Sequence, residues 1–473
     1  MGEVLTPDIC VIGAGSGGLS VAAAAAAFGV PVVLVERGRM GGDCLNTGCV
    51  PSKALLAAGR HAAAHAEASA FGIGMTAPVV NFARVQAHVK GVIAAIAPND
   101  SKERFTGLGV RVIAGEARFQ DRATVTVGGT AIRARRFVIA TGSSPALPPI
   151  PGLEATPHLT NETVFELTRS PEHLVVIGGG PIGLELAQAH RRLGAAVTVL
   201  EAARPLARDD EECAAVVLDA LAREGVVVRA GVKVVRVEPD GEKVRVFVEG
   251  AAGAEAIAAS HLLVATGRSP NVAGLGLEAA GIASDPRGIV VDRRLRTTNR
   301  RVYAIGDVAG GNFTHVANYH AGLVIRNALF RLPVRADAAA IPWVTFTDPE
   351  LAQVGLTEVE ARERHRAIRV LRWPYHENDR AQAERETHGH IKVVTDARGR
   401  ILGATIVGRG AGELIATWTL AISQRLTVRA LLDLVLPYPT LAEIGKRAAV
   451  GFYAPGAASP WVRRIIALLR RLG

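Results

Sequence analysis

The sequence predicts an α/β protein in which one strand–helix–strand unit is used twice, and three observations carry that reading. DICVIGAGSGGLSVAAAAAAFGVPVVLVER, beginning at Asp8, runs from a short apolar segment through Gly13, Gly15 and Gly18 into an alanine-rich helical pattern, then into VVLVE ending at Glu36. HLVVIGGGPIGLELAQAHRRLGAAVTVLEA, beginning at His173, repeats the grammar with Gly178, Gly180, Gly183 and Glu201, and in both copies the acid follows the first glycine by 23 residues. The third observation is composition: 473 residues, 49% hydrophobic, with 51 glycines, suit alternating strands and helices joined by tight turns. A chain of this length is expected to form about two to four domains.

Each part of the repeated unit has a physical reason. The first glycine allows the tight turn after the strand and the second lets backbone approach a pyrophosphate. The third lets helix and strand pack closely, while the helix N-terminus offers oriented N–H groups. Glu36 and Glu201 stand where ribose hydroxyls are bound. Two such Rossmann-like cradles imply two dinucleotides, and an enzyme that moves electrons between a flavin and a nicotinamide is their natural owner. Glu201 accepts hydrogen bonds from a free 2′-hydroxyl and repels a 2′-phosphate, which favours NAD(H); Arg204, three residues on, keeps NADP(H) open as the alternative.

Composition also excludes classes. The net charge of +10 invites a nucleic-acid reading, but aromatic residues make up only 4% and no basic-aromatic module is present, so no nucleic-acid partner is expected. The opening MGEVLTPDICVIGAG lacks a basic region followed by an apolar core and cleavage site, so a reducing cytoplasmic location is expected. VAAAAAAFGV falls well short of the roughly 20 residues a membrane span needs.

Four cysteines are present, two of them close together as Cys44 and Cys49 in GGDCLNTGCVPSKALL. In a regular helix their Cα atoms would lie roughly 8 to 9 Å apart, beyond the limit of about 7 Å for a disulfide. A bridge therefore needs a bent loop, and Asn46 and Gly48 are residues that turn at low cost. Pro51 then suits the first turn of a helix. Two buried apolar cysteines and half a zinc site are the alternatives, but no second Cys/His pair at zinc spacing follows, and no metal site is expected. A redox disulfide directly after a dinucleotide unit is the reading favoured. Cys10, within a strand, and Cys213 read as buried small residues.

GGDCLNTGCVPSK resembles the active-site signature of the FAD-dependent pyridine nucleotide-disulfide oxidoreductases, the group of dihydrolipoamide dehydrogenase, glutathione reductase and mercuric reductase. VIATGSSP (138–145), LLVATGRSPN (262–271) and VYAIGDVAG (302–310) follow in that family's order, so the resemblance runs nearly end to end. It implies two Rossmann-like domains, for FAD and NAD(P), plus a C-terminal α+β dimerisation domain. The implied segments are 1–150 and 271–340 for FAD, 151–270 for NAD(P), 341–455 for the interface of a homodimer, and a basic tail over 456–473. The first cradle, with Gly42, Thr141, Gly142, Gly306 and Asp307, is implied to hold FAD; the second, with Gly267, the nicotinamide cofactor. Cys49 is implied to be the thiolate against the flavin and Cys44 the interchange thiol, with Lys53 near the flavin paired to Glu185 of the second cradle's helix.

The resemblance splits at its C-terminal end. Where dihydrolipoamide dehydrogenase and glutathione reductase have His-Pro-Thr-x-x-Glu, this chain reads PYPTLAE, with Tyr438 in the histidine's place and Glu443 retained. A phenol with a pKa near 10 is a poor proton shuttle at neutral pH. Mercuric reductases resemble this chain in having tyrosine there, which moves the expectation toward a mercuric-reductase-like enzyme passing electrons to a metal ion, a disulfide or another small acceptor. Against it, the terminal vicinal cysteine pair and N-terminal metal-gathering domain of those enzymes are not seen. Asp43, where threonine is more usual, either disfavours thiolate beside it or serves as a turn aspartate. A dihydrolipoamide dehydrogenase with another base and a non-enzymatic redox sensor are the alternatives; Tyr438 argues against the first, and two cofactor cradles against the second.

The tail is the least family-like part. At 100° per residue, Trp461, Val462, Ile465, Ile466, Leu468, Leu469 and Leu472 share one arc and Arg463, Arg464, Arg470 and Arg471 the other, after a Pro460 start. A cationic amphipathic helix is expected, either docked on the dimer or attached reversibly to anionic membrane; the second alternative would make this cytoplasmic enzyme peripheral at the inner face.

Overall fold

The computed structural model describes residues 3–251, 253–457 and 459–472; Met1, Gly2, Ala252 and the tail residues Ala458 and Gly473 lie outside the described residues. The chain divides into two compact units, one of Met1–Gly178, Leu186–Ala202 and Gly231–Asp337, the other of Gly179–Glu185, Ala203–Ala230 and Ala338–Gly473.

The first unit is organised by a five-stranded parallel sheet in the order Val302–Ala304, Arg136–Ile139, Ile9–Ile12, Val32–Glu36, Arg111–Ala114. Its central strands, ICVI and VVLVE, are unbroken apolar runs with at most a terminal acid and are buried almost throughout, as expected when both faces are covered. On one face Val11 and Leu34 pack with the alanine-rich helix Ser16–Ala27 and with Thr314–Ala328; on the other, Cys10, Ile12 and Val33 meet Phe119, Phe137 and Ile139. Cys10 is therefore a small core residue, its thiol pushed up by burial to about 12. The second cradle's strands, His261–Val264, His173–Ile177 and Ala196–Glu201, are also parallel. A three-stranded antiparallel meander, Lys233–Asp240, Lys243–Gly250 and Gly253–Ala259, follows in the same unit.

The second unit is built on an antiparallel sheet, ordered Trp343–Thr345, Glu350–Gly355, Ile401–Gly408, His390–Asp396, Ile368–Pro374. Trp418 of helix Ala411–Ser423 and Phe452 of helix Glu443–Ala457 anchor its core with Ile391, Ile406 and Tyr375. Helix Glu211–Arg223 belongs to this unit too, capped by the Asp210 side chain. Here the buried Lys392 pairs with Asp210 at 2.8 Å, Glu358 at 2.8 Å and Glu212 at 3.1 Å. Cys213 is buried as expected from its surroundings, with its sulfur 3.3 Å from Nε2 of His390. Tail residues Pro460–Leu469 form a helix with Pro460 in its first turn and no residue buried. No helix among the described residues is long and apolar enough to cross a membrane.

Candidate active site

The cysteine segment is bent where its small residues sit. Gly42–Asn46 forms a short helix, the chain breaks at Thr47 and Gly48, and Cys49 opens the helix Cys49–Ala68. Asn46 fixes the bend by donating from Nδ2 to the carbonyls of Met40 and Gly42. Gly48 is needed there because a Cβ would crowd the Asp43 carbonyl and carboxylate at 3.0 Å. The bend brings the Cys44 and Cys49 thiols within hydrogen-bonding reach of each other, as free thiols. Their shared hydrogen bond drives the two apart in acidity. Cys49 is lowered, chiefly by the Cys44 thiol and further by the Thr314 hydroxyl and the Lys53 charge; Cys44 is raised by the same hydrogen bond and by burial. The negative charge of the pair therefore resides on Cys49.

Thr314 is a residue that the sequence reading passed over. It opens the helix Thr314–Ala328, and its Oγ1 stands 3.5 Å from the Cys49 sulfur. A threonine starting a helix a few residues after the GD dipeptide was the available signal, and the positive end of that helix favours an anion. Lys53 lies one turn after Cys49.

Both cradles take the form that their glycines require. Gly13 (φ +104°) and Gly178 (φ +115°) follow their strands in the left-handed region, and a Cβ on either would strike a carbonyl, that of Ala140 or of Ala265. Gly13 N–H bonds the Val35 carbonyl at 2.8 Å, and Gly178 N–H that of Leu200 at 2.9 Å, so the internal repeat extends to individual hydrogen bonds. Gly15 and Gly42 face each other; a Cβ on Gly42 would lie 2.7 Å from the Gly15 Cα. Gly18 and Gly183 sit inside the two cradle helices, Ser16–Ala27 and Pro181–Arg192. Glu36 reaches back to the first turn, accepting N–H groups from Ala14 and Gly38 at 2.6 Å each. Glu201 ends its strand. In the second unit, Arg204 donates to the carbonyls of Ala207 and Asp209, and Glu185 accepts the Phe346 N–H.

The short strands Ser143–Pro145 and Arg268–Pro270 pair antiparallel, joining two of the quoted segments. Thr141 and Asn271 exchange hydrogen bonds, and Gly142 accepts the Asn271 N–H. Gly306 and Asp307 open a 3-10 turn, with the Gly306 N–H donating to Nδ1 of His320. Asp307 accepts from the Ser143 hydroxyl at 2.5 Å, and burial holds its carboxyl above the usual carboxylate range. Around Gly142 and Gly267 an added Cβ would meet nothing, so backbone is open there, and the first unit's glycine turn ending at Glu36 fits a dinucleotide.

In the second unit Tyr438 is exposed, and its hydroxyl donates to Asp379 at 2.7 Å; that carboxylate pushes the phenol above its ordinary pKa. Glu443 begins its helix and accepts the Thr440 N–H. No group of three or more His, Cys, Asp or Glu that could hold a metal ion occurs among the described residues.

Residues 7–322 match the pyridine nucleotide-disulphide oxidoreductase family, and residues 341–449 match its dimerisation domain. The chain belongs to this family. It is an FAD-dependent oxidoreductase that uses NAD(P)H, and it carries the domain through which the family dimerises. It is 39% identical over 454 residues to a mercuric reductase of Streptomyces lividans, covering 94% of this chain and 96% of that one. A dihydrolipoyl dehydrogenase of Thermus scotoductus is 39% identical over 459 residues, covering 93% and 95%. Among solved structures, the Cu(II) complex of the HOCl-induced flavoprotein disulfide reductase RclA from Escherichia coli superposes with a TM-score of 0.85 at 29% identity, covering 95% of this chain and 99% of RclA. LpdA from Mycobacterium tuberculosis gives 0.86 at 28%, covering 94% and 99%.

Proposed function

We propose that this oxidoreductase draws electrons from NADH and delivers them through Cys44 and Cys49 to a thiophilic metal ion of the Hg(II) class in preference to lipoamide. The observation that carries this is Tyr438. A phenol engaged by Asp379 and raised in pKa does not shuttle protons at neutral pH, whereas a soft ion held between thiolates asks for no such base. With a divalent ion, NADH and M(II) give NAD⁺, M(0) and one proton; with a disulfide, NADH, a proton and RSSR give NAD⁺ and two thiols. FAD, when bound, supplies the two-electron relay between nicotinamide and sulfur. Cys44 is the sulfur that meets the acceptor and Cys49 the thiolate, its charge held by Lys53 and Thr314. Residues 1–150 and 271–340 hold FAD, residues 151–270 hold the nicotinamide, and residues 341–455 join two copies in a homodimer. Glu201 selects NADH, since the Arg204 guanidinium already serves two backbone carbonyls.

The test is anaerobic NADH oxidation by the purified holoenzyme with Hg(II), lipoamide, glutathione disulfide or a quinone. Turnover with Hg(II) at least tenfold faster than with lipoamide is expected, and lipoamide matching or exceeding Hg(II) overturns the reading.

We further infer that the tail attaches reversibly to an anionic membrane surface. In the helix Pro460–Leu469, Trp461 is 69% exposed and Leu468 60%, while Arg463, Arg464, Arg470 and Arg471 supply positive charge without an acid. Each arginine near an anionic leaflet contributes about 1 kcal/mol, enough together with the apolar side for weak, salt-sensitive binding. Anionic vesicles should sediment the full chain at low salt, release it at high salt, and leave a chain ending at Ala458 in solution. Equal behaviour of the two chains removes the inference.

A further inference from the structure

The residue before the interchange cysteine is an acid, and its partners were not expected from sequence. Oδ1 of Asp43 accepts from the Thr47 hydroxyl at 2.7 Å and from Asn161 Nδ2 at 3.1 Å, and Oδ2 pairs with Arg268 at 3.1 Å. Asn161 Nδ2 also donates to the Thr47 carbonyl, and Asn161 Oδ1 accepts from Arg268 Nη1 at 3.4 Å. Asp43, Asn161 and Arg268 thus close a ring around the peptide that separates the two cysteines. Arg268 is not free to neutralise Asp43 alone. Its Nε donates to the Ser143 hydroxyl at 2.7 Å, its Nη2 to the Ser143 carbonyl at 2.8 Å, and it stands 3.7 Å from the Asp307 carboxylate. One guanidinium serves two carboxylates, one of them next to Cys44.

We propose that Asp43, balanced by Arg268, is a positioning residue that sets the dithiol–disulfide equilibrium of Cys44 and Cys49 toward the disulfide, making the reduced pair a stronger reductant. The disulfide is neutral, whereas the reduced pair carries anionic sulfur at neutral pH. A carboxylate fixed beside the sulfurs penalises only the reduced state, and a half-shared arginine offsets the penalty only in part. Replacing Asp43 by asparagine keeps the size and polarity of the side chain, removes the penalty and leaves Arg268 with surplus charge, so both effects favour the dithiol.

The proposal rests on Cys44 and Cys49 being the redox pair, and the experiment separates the two ideas. The holoenzyme is equilibrated with graded ratios of reduced to oxidised dithiothreitol, quenched with an alkylating agent, and the Cys44–Cys49 disulfide fraction is read by mass spectrometry. In each exchange the protein S–S bond breaks, the dithiothreitol dithiol closes to its cyclic disulfide, and its two protons pass to the protein sulfurs or, for a thiolate, to solvent. Asp43→Asn should move the equilibrium about tenfold toward dithiol, about 30 mV in potential. Asp43→Glu should stay within threefold of the parent, and Arg268→Gln should move the opposite way from Asp43→Asn. An Asp43→Asn shift below threefold, a shift of equal size in Asp43→Glu, or a shift toward dithiol in Arg268→Gln overturns the proposal. A parent in which this pair never forms a disulfide removes the redox-pair reading instead. FAD content is measured in every variant, and the sulfur equilibria are compared at matched flavin occupancy, since flavin beside Cys49 itself bears on the equilibrium.

Discussion

The cysteine turn and the Tyr438 corner are the two chemically pointed regions of this chain, and they are built in opposite ways. At the turn, Asn46, Thr47, Asp43 and Asn161 bind each other and the backbone, and the two sulfurs differ in acidity because of their immediate neighbours. At the corner, Tyr438 is 70% exposed and its one polar atom leans on Asp379, from a different segment of the same unit. Under the proposed roles, the difference teaches that electron transfer and proton transfer are separable tasks in this framework. The first would be fixed by a dense local network, while the second would rest on one side chain, a phenol engaged by Asp379.

The largest expected effect tests the first side of that contrast. Cys49→Ser should abolish the long-wavelength absorbance of a thiolate beside oxidised flavin after anaerobic NADH addition, and lower turnover with all acceptors at least about a thousandfold, with FAD retained. Cys44→Ser should keep that absorbance and block disulfide acceptors. Absorbance that survives in Cys49→Ser reverses the assignment of the two sulfurs.

Tyr438→His tests the other side. Restoring a base of suitable pKa next to Glu443 should raise lipoamide reduction about a hundredfold, within the usual range for general acid–base catalysis, while Hg(II) turnover moves little. If lipoamide turnover does not rise in the folded variant, the corner lacks more than a base.

The pH dependence sharpens the comparison at lower cost. Because the folded Cys49 value is depressed below that of an ordinary thiol near 8.5, its thiolate stabilises the reduced protein above the ordinary value, and that contribution disappears as pH falls through the folded one. Thiolate absorbance in the two-electron-reduced enzyme should therefore persist from pH 8.5 to 7 and fade only below. Fading centred near 8.5 contradicts the environment described for Cys49. The smallest effect is expected at the nicotinamide site: Glu201→Ala should raise KM for NADH about tenfold and that for NADPH less, since only the free ribose hydroxyls use the acid. Equal rises would shift selection to Arg204.

Much of this was legible in the sequence, for a physical reason. The cradles depend on glycines that backbone sterics demand and on strands read from unbroken apolar runs, so Gly13 and Gly178 could be placed before any contact was known. The bend at Asn46 and Gly48 was legible on the same grounds. What escaped were partners brought together by tertiary structure. Thr314 reaches Cys49 across 265 positions of sequence, and Asn161 reaches Asp43 across 118. The choice between a thiolate-opposing and a turn-capping Asp43 also stayed open in sequence; in the structure it opposes charge on both sulfurs, and its carboxylate accepts from the Thr47 and Asn161 side chains, with no side-chain cap on Gly42–Asn46. Nothing local in PYPTLAE announces that Asp379, 59 positions away, engages the phenol.

Arg268 touches the guard of the cysteine turn at Asp43 and stands within ionic reach of Asp307 in the GD turn. Whatever engages Asp307 alters that carboxylate's claim on the shared guanidinium and hence the charge left to Asp43. Linkage of this kind is reciprocal in free energy. If filling the Asp307 site changes how readily the sulfurs accept electrons by some factor, then oxidising or reducing the sulfurs must change the affinity of that site by the same factor. If the cofactor is what fills that site, its retention and the oxidation state of the cysteine pair would be two readings of a single equilibrium, so that loss of one under oxidative conditions would report on the other.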